Sequence, residues 1–391
     1  MANTPVMDGL ISRTVKRHLP WSVHVDLTYR CNERCIHCYL DHEDHGEMKT
    51  DEIKNVLEQL AQCGTLFLTL SGGEIFLRDD LFELLEFARS LHFDISLKTN
   101  ALLIDAEHAR KLRDLSVRRI QVSIYSAEPA VHDAITKVRG SLERSLTAIK
   151  FLKAEGLQVK IACPLMKQNL MAYRNVQALA AELDVPYVLD MTITPKLDGD
   201  MSLLQLRNSA QDLLPILRDS SLKPPSCSPE SAAGPPLATG SATSSGIESN
   251  AYEDIPCSAG HNSCYISPYG EVFPCVQMSV ATGNLRRQRF EEIWFKSPEM
   301  NRVRAVRESQ MPVCSQCSIR QHCERCPGLA LMEGGDLLGA YERACELAEV
   351  KARLAGVPNP ISAMHAQKLN SNGLSSIPSA VATPAVQIGS N

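Results

Sequence analysis

The chain has no apolar run long enough to cross a bilayer, and its first twenty residues carry Arg13, Lys16, Arg17 and His18 where an export signal would be apolar. A cytoplasmic protein with no membrane partner is the expectation. The sequence also lacks a basic excess: 40 Lys and Arg against 45 Asp and Glu leave a net charge of -5. Such a balance offers no field for a phosphate backbone, so nucleic acid is not expected as a partner. What the chain does hold is cysteine, 14 in 391 residues. Three fall within eight residues, eight lie between 257 and 345, and Cys63, Cys163 and Cys227 stand apart. Disulfides are the bland explanation, but they belong to exported proteins, and these thiols sit too closely in groups. Metal or cluster ligation is the better reading.

From residue 22 to about 192, short β-branched runs alternate with longer amphipathic stretches, the pattern of repeated βα units around a parallel sheet. Six strands are expected: Ser22 to Thr28, Thr65 to Leu70, Phe93 to Lys98, Arg118 to Ile124, Leu157 to Cys163 and Pro186 to Thr192. Helices are expected near 50–62, 79–91, 105–115, 141–155 and 169–183, where apolar residues recur at spacings of three and four. Right-handed crossovers allow either an open doubly wound sheet or a curved partial barrel. Both place reactive loops at the carboxyl ends of the strands, where Cys31, Cys35 and Cys38, then Ser71-Gly72-Gly73-Glu74, then Thr99-Asn100 fall. Residues 220–252 are rich in Ser, Pro, Ala and Gly and read as a flexible linker; 353–391 read as a disordered tail.

Three thiolates are one short of a complete ligand set, and an open position on a bound metal is where chemistry occurs. A zinc knot completed by His37 or His42 is the alternative, but it gives the Gly-rich loop downstream no purpose. Cys31-x3-Cys35-x-His37-Cys38 resembles the signature of the radical S-adenosylmethionine (SAM) superfamily, with His37 where an aromatic residue is more usual. Ser71, Gly72, Gly73 and Glu74 resemble that family's motif for the ammonium of the cofactor methionine. The resemblance implies a partial (β/α)6 barrel of the TIM type, a 4Fe-4S cluster on the three cysteines, and SAM chelated to its open iron and cleaved to a 5'-deoxyadenosyl radical. It further implies cofactor contacts at His37, Thr99, Asn100, Ser123, Leu165 and Met166. Lys98 and Arg139 are weaker candidates for neutralising the cofactor carboxylate, and Tyr125, Asp190 and Lys196 for proton transfer.

Cys257, Cys264, Gly270-x4-Cys275, Cys314-x2-Cys317-x5-Cys323-x2-Cys326 and Cys345 supply eight thiols, enough for two four-ligand sets. Zinc for half of them is the alternative. The run resembles the SPASM extension of radical enzymes that modify peptides, which holds two auxiliary 4Fe-4S clusters. By that resemblance Cys257, Cys264, Cys275 and Cys326 form one set, and Cys314, Cys317, Cys323 and Cys345 the other. The expected layout is an extension over 1–20, a radical SAM core over 21–219, the linker, a small SPASM-type domain over 253–352, and the tail. The expected activity is maturation of a peptide or protein substrate, with a separate leader-peptide-binding protein and a flavodoxin- or ferredoxin-like reductant. A small-molecule enzyme acting on a haem precursor is the alternative, and a non-catalytic electron-transfer or redox-sensing protein is the third.

Overall fold

The structure is a computed structural model that describes residues 5–222 and 254–372. Most of the expected linker, Cys227 and the last part of the expected tail lie outside the described residues. Six parallel strands, β1 (Ser22–Thr28), β2 (Phe67–Gly72), β3 (Asp94–Thr99), β4 (Arg119–Ser123), β5 (Gln158–Pro164) and β6 (Tyr187–Asp190), follow one another in sequence order across the sheet. The second and third strands run one to two residues later than their apolar runs suggest. Thr65 is held by Pro20, and Leu66 and Phe67 both donate to Trp21, so the chain reaches the sheet only at Phe67.

The carboxyl-terminal half does not stand beside this sheet; it continues it. Strand β7 (Ser263–Ile266) pairs in parallel with β1, then β8 (Glu271–Phe273) and β9 (Gly283–Asn284) add antiparallel partners, giving the order β6-β5-β4-β3-β2-β1-β7-β8-β9. Two short edges, β6 and β9, leave the curved sheet open. The helix Pro5–Lys16, not anticipated from the sequence, covers its amino-terminal side, where Asn262 donates to Thr14.

Alternation along the strands sorts the two faces. Val23, Val25, Leu27, Leu68, Leu70, Ile95, Leu97, Ile120, Val122, Val159 and Ile161 share one core with the helix faces of Thr50–Gln62, Leu81–Ser90 and Ser141–Ala154. Each fully buried Leu or Ile there contributes roughly 1.5–3 kcal/mol. The other face is polar: His24, Asp26, Thr69, Ser96, Lys98, Gln121 and Lys160 line the concave interior of a partial barrel. The described part of the expected tail is largely ordered. Ala363–Asn372 is helical, and Ser362 and His365 anchor its start to Glu349.

Candidate functional site: a thiol loop at the strand ends

The loop after β1 folds back on its neighbours because two glycines let it. Gly72 adopts φ +130, and a Cβ there would stand 2.1 Å from the Thr28 carbonyl oxygen; one on Gly73 would stand 2.2 Å from that of Arg30. Gly73 and Glu74 amides donate to Thr28 and Arg30, stitching the loop after β2 to the loop after β1. The glycines therefore serve a close approach of two backbones. Glu74 is fully buried and accepts from the Phe76 amide, the Thr99 hydroxyl and the Asn100 amide, so its carboxylate ties the ends of β2 and β3 together. Asn100 in turn donates to Asn32 at 2.6 Å and approaches Cys31 Sγ at 3.8 Å. Ser71, at the end of β2, is also buried.

The three thiols are half-buried, and the Arg34 charge, which favours the Cys38 thiolate, is outweighed by that burial. Burial pushes Cys31 up to about 12 and also raises Cys35 and Cys38, and Cys31 and Cys35 both feel Cys38. Thiolate ligation here needs positive charge from a bound group, which an iron cluster supplies. Among the described residues no three His, Cys, Asp or Glu side chains stand close enough to share one metal ion. His37 belongs to no such group: its ring meets Tyr125 edge-on at 5.0 Å, and burial lowers it to about 4. Tyr125, Met166, Ile193, Leu203 and Leu206 form a small core that packs against Cys35, Ile36 and Tyr39 and covers one side of the loop. The donor set and the apolar core on one side of it fit a cluster.

Other expected residues divide. Met166 belongs to that small core, whereas Leu165 lies in the main core; both amides are already bonded, Leu165 to Asp190 and Met166 to Asn169. Ser123 lies beside the Tyr125 hydroxyl, which approaches Cys35 at 3.7 Å. Arg139 and Asp190 are exposed, and Lys196 is paired with Asp200. Several participants were not anticipated. Glu33, inside the loop, is 2% exposed, accepts the Cys35 thiol at 3.2 Å, leaves Oε1 without a partner, and is raised to about 7 mainly by burial. Glu47 holds Thr28 and the Tyr29 amide, and Asn169 fastens the loop after β5 by donating to Tyr125 and Pro164 carbonyls. The interior below carries Asp26, which accepts from Tyr265 at 2.8 Å and contacts His24 at 3.0 Å; Tyr29 lies 2.7 Å from Tyr265. Polar residues at alternate positions of a buried strand were the signal for these.

The carboxyl-terminal thiols gather in two places. Cys314, Cys317, Cys323 and Cys345 lie within electrostatic reach of one another. Cys257, Cys275 and Cys326 form the second group, with Cys257 pushed up to about 12 by burial and then by its two neighbours. Cys326 precedes the helix Pro327–Gly334, and a Cβ on Gly328 would stand 2.2 Å from the Gln277 carbonyl oxygen, so this helix end is pressed onto the turn after Cys275. Cys264, expected with this group, is not there. It sits in β7 opposite Val23, in the main core, where its electrostatic neighbours are Arg304 and Cys63.

The sequence profile of the Radical SAM superfamily matches residues 25–176, and that of the SPASM iron-sulfur cluster-binding domain matches 257–318. The chain is 29% identical to the AdoMet-dependent heme synthase of Methanosarcina barkeri over 80% of this chain and 93% of that protein. It is 28% identical to the PqqA peptide cyclase of Rhodopseudomonas palustris over 86% of this chain and 89% of that protein. Its fold is similar to that of anSMEcpe solved with AdoMet and the Cp18Cys peptide, with a TM-score of 0.63 and 15% identity over 91% of this chain and 100% of that one.

Proposed function

We propose, from the premise that this chain belongs to the radical SAM superfamily and carries a C-terminal SPASM iron-sulfur domain, that it abstracts hydrogen from a carboxylate-bearing small molecule enclosed in the barrel. Family membership implies the 4Fe-4S cluster and SAM, which when bound supply a carbon radical able to attack an unactivated C–H bond. The chain's own residues bind, orient and exclude water. On this reading Cys31, Cys35 and Cys38 hold the cluster, and the Thr99, Asn100 and Ser123 strand ends face the cofactor. The catalytic unit over 21–219 and the auxiliary unit over 253–352 belong to the same proposal, although they share a sheet.

One observation carries the choice of substrate. Lys98 and Lys160 stand at one level of the interior, each in register with Gln121 of the strand between them. Among the described residues neither ammonium makes a hydrogen bond or an ion pair, and burial lowers both. Lys98 feels Asp26, Asp190 and Cys275, which places it between the thiol loop and the first auxiliary group. Half-buried cations that make no ion pair favour a carboxylate that completes them. The first relatives matched, the heme synthases, support a compact substrate.

A second reading, peptide maturation with a separate leader-binding protein, is favoured by the likeness to the PqqA peptide cyclase and to the mycofactocin maturase of Mycolicibacterium smegmatis. The test is reconstituted enzyme with SAM and a low-potential flavodoxin- or ferredoxin-like donor, offered either iron coproporphyrin III, which bears propionates, or precursor peptides from the gene neighbourhood. Faster 5'-deoxyadenosine release and mass loss with the porphyrin support the proposal. Modified peptide with an unchanged porphyrin sinks it.

A further inference from the structure

The missing fourth thiol of the first auxiliary group has a structural cause. Along β7, Tyr265 points into the barrel interior and bonds to Asp26, so its neighbour Cys264 points to the other face. There it is 4% exposed in the main core, beside Arg304 and Cys63. Cys275 lies on the interior side, within reach of Lys98 and Tyr39. A sheet separates the two thiols, and no change of side-chain rotamer carries a sulfur through it. Register with Val23 fixes the phase: a slip by one residue would bury Tyr265 in the helix-side core and expose Ile266 to the polar interior.

Beside two of the three remaining thiols, Cys275 and Cys326, stands Gln277. Its side-chain Oε1 is 3.6 Å from Cys326 Sγ, and its backbone is locked against Gly328 at the start of the following helix. We infer that the first auxiliary site is a three-thiolate site held by Cys257, Cys275 and Cys326, with the Gln277 carboxamide in place of Cys264 at its fourth position. A neutral oxygen donor is a weak partner for iron next to thiolates. That iron is therefore exchangeable, and the site has one negative charge fewer than a four-thiolate one, which moves its potential upward. The inference rests on the SPASM assignment but not on the substrate, so it stands whichever substrate reading holds.

The test uses the full-length chain carrying Cys31→Ala, Cys35→Ala and Cys38→Ala, which removes the other exchangeable iron, reconstituted with iron and sulfide. Iron and acid-labile sulfide per chain are measured, and the reduced protein's electron paramagnetic resonance spectrum is recorded with and without cyanide. Cys264→Ser is expected to keep the parent's iron content, while Cys257→Ser loses one cluster's share. Should Ser in this apolar setting prevent folding, Cys264→Val gives the same reading. Cyanide is expected to shift the spectrum of the parent and of the Cys264 variant, but not that of Gln277→Cys, which closes the site with a fourth thiolate. Iron loss in Cys264→Val equal to that in Cys257→Ser overturns the inference. So does a parent spectrum indifferent to cyanide, or a Gln277→Cys spectrum that still responds.

Discussion

The thiol loop after β1 and the carboxyl-terminal thiols solve the same problem by opposite means. In the first, three cysteines come from eight consecutive residues, and the loop is held by the neighbouring strand ends through Gly73, Glu74 and Asn100. In the second, Cys257 meets Cys326 across about seventy residues of sequence, brought together by a tight turn at Cys275 and a helix start at Cys326. Local spacing brings the three thiols of the loop together, and the neighbouring strand ends hold them. The distant set depends on which face each strand residue takes, and that is why one of its expected members is absent.

The sharpest way to separate the two regions is to remove one. Replacing Cys31, Cys35 and Cys38 together by Ala is expected to lower 5'-deoxyadenosine formation to the level of an enzyme-free control, while the iron bound by the carboxyl-terminal thiols remains. Liquid chromatography and iron analysis read the two halves separately. Loss of all iron would make the regions one folding unit and break the contrast.

Gly73→Ala tests whether the loop is held from outside. A Cβ 2.2 Å from the Arg30 carbonyl oxygen must part the two loops, at about 1–3 kcal/mol of overpacking. Reduced SAM affinity with a smaller fall in thermal midpoint is expected, by calorimetry of the reconstituted protein against SAM. Between the regions stands Lys98. Lys98→Gln is expected to raise KM for a carboxylate substrate by roughly tenfold or more, the worth of a charged hydrogen bond of about 1.5–3 kcal/mol, while 5'-deoxyadenosine formation without substrate changes little. An unchanged KM would free Lys98 of that role.

Much of this was legible in advance for a physical reason. Six βα units show in the periodicity because helices and strands each bury one face, and Thr50–Gln62, with Ile53, Val56, Leu57 and Leu60 inward, falls where the spacing placed it. The strands β7 to β9 were not legible, being only two to four residues long and rich in turns. Pro129–Thr136 was also missed: it is eight residues long and ends at Lys137 with φ +62, too brief for a clear period. The cysteine loop was visible as spacing, but Glu33 within it was not, because its role comes from burial that tertiary neighbours impose. Cys264 fits a ligand motif in sequence and a core position in space. Only the pairing of β7 with β1 decides between them.

The smallest effect expected lies behind the second region, at the amino-terminal ends of β1 and β7. His261 is 3% exposed, its ring centroid is 5.3 Å from that of His18, and its Nδ1 has no partner. Burial, then the charges of His18, Arg304 and Arg307, lower it to about 4 from 6.5. A histidine depressed in this way stays neutral in the folded protein while the unfolded chain takes up a proton, so stability is full above pH 6.5 and falls as pH drops toward 4. His261→Asn removes the titrating group but keeps a polar side chain of similar reach. The drop in thermal midpoint between pH 7 and pH 5 should be a few degrees smaller in the variant than in the parent. The cysteine loop should not register the change, because His261 sits at the opposite end of the strands. An equal drop in both proteins would place the acid sensitivity elsewhere, with His37 in the thiol loop and His132 in the helix Pro129–Thr136 next in line.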